Sequence, residues 1–382
     1  MRIALPGALL AGLAAAAAAV VPATAAAAGS PVTGHVYVDD NTAGTNTVAV
    51  LDRHADGHLT PNPGSPFATP GAGSGSGLPS QGAIQVSPDG RFVITVDAGS
   101  NELSVLRIQD DGKLKPVVGG TVSSGGSQPV SVAIHGSLVY VANAGDGASN
   151  YTGFSLRANG RLHPIAGSTV PLPDGSQPGD VLFSPDGTHL AGTRITSSLI
   201  DSFTVGNGGL LTAAPGSPYV AQGLGPFGSE FRPTNSDQLF VSNAHDGPGA
   251  GTVSAYDVAA DGTLTSIGGS PFADNQTAAC WVEISHDGQF LFTVNTASGT
   301  ISRYAIADNG TLTLRGSTPV GATGGLGAVD AALSPDGASL YVDESRIASV
   351  GQFAVDGGEL TELSGSPVAL PAGATPAGVA VQ

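Results

Sequence analysis

Cysteine is nearly missing from this chain: Cys280 is the single one in 382 residues. With no second thiol there can be no internal disulfide, and stability has to come from packing. Cations are few as well. Thirteen Lys and Arg, scattered along the chain, stand against thirty Asp and Glu, for a formal net charge of −17. A protein that tracks nucleic-acid phosphates needs clustered Lys and Arg to displace counterions, so a nucleic-acid partner is excluded. Charged residues of both signs reach only 11% and aromatics 5%, which suits helical bundles badly. Helices should be almost absent. No membrane span is expected beyond residue 28.

The one long apolar run is N-terminal. Arg2 supplies a positive charge, residues 3–21 are apolar and alanine-rich, and small residues from Ala23 to Ala28 offer Ala-x-Ala cleavage sites. Residues 1–28 therefore read as a secretory signal cleaved near Ala25 or Ala28, which predicts a secreted, extracellular protein. An uncleaved anchor helix fits less well, because Pro6 and Gly12 interrupt a stretch that is mostly alanine.

Glycine and turn signals are what the chain has in abundance, with 57 Gly and 27 Pro. Ser-Pro-Asp-Gly recurs at Ser87, Ser184 and Ser334, between apolar alternating runs. Taking the first residue of the turn as anchor, the equivalents are Ser87, His135, Ser184, Arg232, Ser285 and Ser334, a spacing of about fifty residues. Each unit reads as an inner strand (83–86 in the first), the turn, a second strand (92–96), a third (103–108) and a fourth after Gly-x-Leu (112–114). The chain ends supply a seventh unit. Residues 35–38, 47–51 and 57–59 read as second, third and fourth strands, and residues 375–381 as the inner strand they lack. The expected fold is all-β: a seven-bladed β-propeller of four-stranded antiparallel blades over residues 29–382, its ring closed by the C-terminal strand pairing into the N-terminal blade. Residues 69–80, rich in Gly, Ser and Pro, read as a loop between the first two blades.

The Ser-Pro-Asp-Gly turns, Gly225-Pro226-Phe227-Gly228, and Ala279-Cys280-Trp281-Val282 followed by Thr293-Val294-Asn295-Thr296 resemble the seven-bladed lactonase propellers. That superfamily contains 6-phosphogluconolactonases and 3-carboxymuconate lactonising enzymes. The resemblance implies anionic substrates held by Arg and His on the face where inner strands begin, with a Gly-Pro-Arg-His stretch opening one of them. The matching stretches here are Gln128-Pro129-Val130-Ser131, Gln177-Pro178-Gly179-Asp180 and Gly225-Pro226-Phe227-Gly228. None carries the Arg-His pair.

Inner-strand positions two and four before the anchor share a face and recur as layers around the axis. The first layer is Gln85, Ala133, Leu182, Glu230, Glu283, Ala332 and Ala380, and the second is Ala83, Ser131, Asp180, Gly228, Trp281, Asp330 and Gly378. They are expected to border a central channel holding four carboxylates, Asp180, Glu230, Glu283 and Asp330, and no cation. Three uses stay open: solvation of a wet channel, a calcium site made by the four, or acid-base catalysis by Glu230 and Glu283 on neighbouring blades.

Other candidates lie nearby. Arg194, His245 and Arg346 are the cationic or potentially cationic groups at second-strand ends, Arg194 and His245 being further catalytic candidates and Arg346 an anchor for an anionic ligand. Asn243 and Asn295, with Asp180 and Asp330, are ligand-binding candidates, and Trp281 could stack on a ligand at the channel mouth or pack between blades. Cys280, a lone thiol in a strand, reads as core. The function expected is a small-molecule- or cell-surface-ligand-binding propeller, monomeric and needing no cofactor, with calcium as the one cofactor allowed. The alternative is a lactonase or muconate-cyclase-like enzyme of altered specificity.

Overall fold

Each repeat of the sequence becomes one antiparallel sheet. A computed structural model describes residues 29–321 and 327–382; residues 1–28, expected to be a secretory signal, lie outside the described residues. Seven sheets are present, each running from an inner strand outward. Blade 2 shows the order: Ile84–Val86, Phe92–Asp97, Glu102–Ile108 and Leu114–Pro116. The inner strands of blades 3 to 7 are Pro129–His135, Pro178–Phe183, Pro226–Arg232, Ala279–Ile284 and Ala328–Leu333. Blade 1 is composite, as expected. Gly378–Val381 pairs antiparallel with Val32–Asp39, Val36 opposite Val381 and Asp39 opposite Gly378, and Thr47–His54 and Leu59–Pro61 follow outward. The one helical element among the described residues is a 3-10 turn at Asn207–Gly209.

Local hydrogen bonding explains why the repeated turn forms. In blade 2 the Ser87 hydroxyl donates to Asp89 Oδ1 at 2.6 Å and accepts the Phe92 N–H at 3.0 Å, while Asp89 Oδ1 also accepts the Arg91 N–H. The same set holds at Ser184, Ser285 and Ser334. Gly90 closes the turn at φ 67°, a left-handed conformation that a Cβ would oppose. Blade 5 has no such turn, and the buried Arg232 replaces it. Its Nε donates to Gly288 O at 2.8 Å and its Nη1 to Gln238 Oε1 and Ala307 O, so it ties blade 5 to blade 6.

The outermost strand differs from the expectation of one continuous fourth strand. Outside blade 6, where Leu312–Pro319 is unbroken, it comes in two pieces that both pair with the third strand. The break frees a third-strand N–H, and in five of these blades a serine takes it, Ser65 from Val50, Ser168 from Gly153, Ser217 from Ser202, Ser270 from Ala255 and Ser366 from Gln352, whereas in blade 2 the Val105 N–H goes to Gly120 O. An unpaired backbone donor would otherwise remain in a half-buried edge. The core lies between blades, where the inner-strand positions Ile84, Val132, Val181, Ser229, Val282, Ala331 and Val379 are all buried.

Candidate functional site

The inner strand of a propeller blade has one edge with no strand beside it, so its N–H groups face the axis and need acceptors. The layer residues supply them. Asp180 of blade 4 accepts the Ser229 N–H of blade 5 at 3.0 Å and the hydroxyls of Ser229 and Ser131 at 2.7 and 3.2 Å. Glu230 of blade 5 takes the Ile284 N–H of blade 6, and Glu283 of blade 6 takes the Leu333 N–H of blade 7 at 2.9 Å. Asp330 of blade 7 takes the N–H groups of Val379 in blade 1 and Gly82 in blade 2, both at 3.3 Å. Each carboxylate is thus a staple to the blade that follows. Each acid is turned toward a different strand, and among the described residues no three His, Cys, Asp or Glu side chains are placed together to hold a metal ion.

Burial, opposed by these hydrogen bonds, still raises the carboxyls of Asp180 and Asp330 to about 7 and Glu283 to about 8. Glu230 is pushed well above the carboxylate range, by burial first and by the charge of Glu283 second, and its Oε2 has no hydrogen-bond partner. Both groups therefore stay largely protonated at neutral pH, and Glu283 is the first to ionise. This is the behaviour of two close carboxyl groups in a poorly solvated site.

The channel does not run through the molecule. Residues 80–82 leave the line of the blade 2 inner strand and cross the axis. Gln81 donates its side-chain amide to Ser229 O of blade 5 and Val282 O of blade 6, both at 3.1 Å, and accepts the Val282 N–H on Oε1 at 3.0 Å. Its backbone N–H reaches Gly179 O in blade 4, and Gly82 O accepts the Val132 N–H of blade 3. Ser80 O accepts the indole N–H of Trp281 at 2.8 Å. With the Asp330 contact, this short segment is hydrogen-bonded to blades 3, 4, 5, 6 and 7. The loop expected at residues 69–80 between the first two blades thus leads into the plug, and at its end Ser80 is wholly buried. Gly228 permits the crossing, since a Cβ there would lie 2.0 Å from Gln81 Oε1.

Below the plug, on the side of the Ser-x-Asp-Gly turns, the lumen is open as two lobes. One, of about 240 Å³, is lined by Gln85, Glu283, Asp330 and Ala380 among others; the second, of about 220 Å³, shares Gln85 and Glu283 and adds Glu230 and Leu182. Both layers therefore reach the lumen, the first through Gln85, Glu230 and Glu283 and the second through Asp180 and Asp330, beside the plug. A larger cavity of about 770 Å³ lies away from the axis between blades 1 and 2 and holds a contact of 3.1 Å between His35 Nδ1 and Asp52 Oδ1.

The remaining candidates are dispersed. Trp281 is 4% exposed and packs on Phe227 with ring centroids 4.9 Å apart, so it pins the plug and does not stand at an open mouth. Arg194 makes a two-pronged buried ion pair with Asp201, at 2.6 and 2.5 Å, and Tyr151 donates to the same carboxylate. An anionic ligand would have to displace Asp201. Asn243 and Asn295 are fully buried, and donate to Thr252 and Ser254 and to Thr300 and Ser302. His245 and Arg346 are exposed at the rim. Cys280 is buried and its thiol pushed up to about 11 by burial, which is inert core. The sequence reading missed Gln81 and Gly82. Replacing Arg194 by Ala strands Asp201 without its cation, and urea unfolding should show a loss of about 3–5 kcal/mol; a change within error would mean that the pair is solvated.

Residues 43–175 and 230–376 match the profile of the family described as Lactonase, 7-bladed beta-propeller. The chain belongs to this lactonase family. A periplasmic gluconolactonase of Pseudomonas aeruginosa superposes with a TM-score of 0.72 at 17% identity, over 91% of this chain and 98% of the other. A provisional 6-phosphogluconolactonase of Bacteroides fragilis gives 0.72 at 21% identity over 91% and 98%, and a protein of Lactobacillus plantarum 0.71 at 21% over 91% and 99%. At such identities these likenesses show the fold. No curated protein matches the sequence.

Proposed function

We propose that this member of the lactonase family is an exported ligand-binding propeller that receives a small neutral or cationic, hydrogen-bonding ligand in the lumen beneath the plug. The observation that supports this reading is the plug itself. Residues 80–82 shut the axis from the face where inner strands begin, and no Arg-His pair opens an inner strand there. The lumen that remains offers Asp180, Glu230, Glu283, Asp330, Gln81 and Gln85 and no cation. Such a lumen gives phosphorylated and carboxylated lactones no counter-charge, and Asp180 and Asp330, which ionise at about 7, repel them. Purified protein is expected to hydrolyse 6-phosphogluconolactone no faster than buffer. Turnover above buffer that is lost in His245→Ala or Arg346→Ala would replace this reading with the anionic-lactone one.

One observation favours a second reading. Glu283 gives up its proton at about 8 while Glu230 holds its own higher still, so in mildly alkaline solution the lumen holds an acid and a base side by side, as hydrolysis of a neutral lactone such as gluconolactone requires. Hydrolysis above the uncatalysed rate, abolished in Glu283→Gln with an unchanged melting temperature, would carry it. Binding without turnover favours the first.

A further inference from the structure

The penultimate residue of a second strand faces the next blade. In blade 4 it is Thr193, whose hydroxyl donates to Phe227 O of blade 5 at 2.6 Å. In blade 5 it is Ser242, whose hydroxyl donates to Cys280 O of blade 6 at 2.5 Å. In blade 7 it is Asp343, in Ser339–Glu344, and the next blade is blade 1, where the two ends of the propeller chain meet. Phe227 and Cys280 each precede the second-layer residue of their strand. The register therefore places Ala377, which precedes Gly378, across from Asp343.

A hydroxyl in this position donates to a carbonyl; a carboxylate cannot. Asp343 has no exposure to solvent, and neither of its oxygens has a hydrogen-bond partner. The charged groups facing it are Asp330 from the inner strand of blade 7, Asp40 and Asp39 from the second-strand end of blade 1, and Glu344 from its own strand. All are acids. Arg346 stands two residues beyond that strand and is exposed. No three carboxylates converge here for a metal ion among the described residues.

We propose that Asp343 is a proton-operated clasp of the ring: as a neutral acid it donates its Oδ–H to the carbonyl of Ala377 and holds blade 7 to blade 1, and on ionising it releases that seam. Ionised, it would be an unpaired charge in a site without water, set against a carbonyl and four other acids. Burial, and then those acids, hold its proton far above the ordinary carboxyl range, so the clasp is closed in acid and neutral solution and opens as the medium turns alkaline. The seam is the place where such a release matters, because the strand that blade 7 holds there, Gly378–Val381, has no short chain connection to the rest of blade 1 and is joined to it by hydrogen bonds and side-chain packing.

Hydrogen exchange of the peptides covering 32–39 and 378–382, corrected for intrinsic rates, tests this between pH 6 and pH 9. Wild-type protection should fall by up to about tenfold for each unit of pH above the ordinary carboxyl range, levelling off only once the closed clasp itself has ionised. Asp343→Ser and Asp343→Asn, which keep a donor and lose the ionisation, should stay protected at both pH values. The proposal is overturned if both variants are as pH-sensitive as wild type, or if both are less protected than wild type at pH 6. It is also overturned if millimolar calcium chloride restores protection at pH 9 in wild type and not in the variants, since that would make Asp343 a cation ligand.

Discussion

Removal of residues 375–382 should leave a protein that aggregates, or that melts roughly 10 °C or more below the intact chain, far beyond the effect of trimming an ordinary tail. The segment is a whole inner strand. Val36, Tyr37, Val38 and Asp39 pair with Val381, Ala380, Val379 and Gly378. His35 and Gln382 exchange both backbone hydrogen bonds, at 2.9 and 2.8 Å, and Thr375 and Ala377 donate to the carbonyls of Asp40 and Asp39. Deletion also strips Asp330 of the Val379 N–H and takes from Tyr37 the Gln382 side chain to which it donates. Loss of the buried Val379 and Ala380 alone removes about 2–4 kcal/mol of apolar burial. The larger effect is topological: the ring opens and blades 7 and 1 each expose a face, with a bare edge on Val32–Asp39. Calorimetry of the truncated chain is the measurement. A melting temperature equal to that of the intact protein would show that blade 1 does not depend on this strand.

Stability is expected to fall as pH rises from about 5 to about 9. The unfolded chain has ordinary carboxyls that release their protons near pH 4, whereas burial raises Asp180 and Asp330 to about 7 and Glu283 to about 8, with Glu230 higher still. Between these values the folded protein holds protons that the unfolded chain has lost. Its stability therefore drops with each unit of pH until the folded groups have ionised. A three-unit shift corresponds to about 4 kcal/mol for one group, and coupling among the four keeps their joint effect below the simple sum. At the acid end the sign reverses: the Ser334 hydroxyl and neighbouring N–H groups hold the Asp336 carboxyl below its ordinary value, so that turn loses support as pH falls below about 4. Urea unfolding across this range should show a maximum on the acid side of neutrality. Glu230→Gln with Glu283→Gln should flatten the decline and raise stability at pH 8. A flat profile for wild type would mean that the lumen solvates these groups as bulk water does.

Much of the architecture was legible because the forces behind it act over short stretches of chain. The Ser87 to Asp89 and Ser87 to Phe92 hydrogen bonds close within five residues, so the same four letters give the same turn wherever they recur. The serine that caps the broken fourth strand was equally local, in Gly64-Ser65-Pro66, Gly216-Ser217-Pro218, Gly269-Ser270-Pro271 and Gly365-Ser366-Pro367. That repeat was present in the sequence and went unread. Arg194 was a sound choice of unusual residue and a poor choice of ligand, since Asp201, seven residues on, reads as an ordinary strand position until the pairing of second and third strands sets the two side by side.

Blade number, ring closure and the identity of the layer residues were fixed by the sequence itself, because turn chemistry and two-residue alternation are properties of neighbouring residues. The tertiary structure alone decided that the axis is plugged and that the acids are staples. Gln81 meets Val282 across 201 residues and Gly82 meets Asp330 across 248, and nothing in Pro79-Ser80-Gln81-Gly82 distinguishes a plug from a surface loop. Four carboxylates in a row of inner strands announce negative charge. Whether they gather a cation or accept N–H groups depends on which donors face them, and those donors belong to the next blade, about fifty residues away.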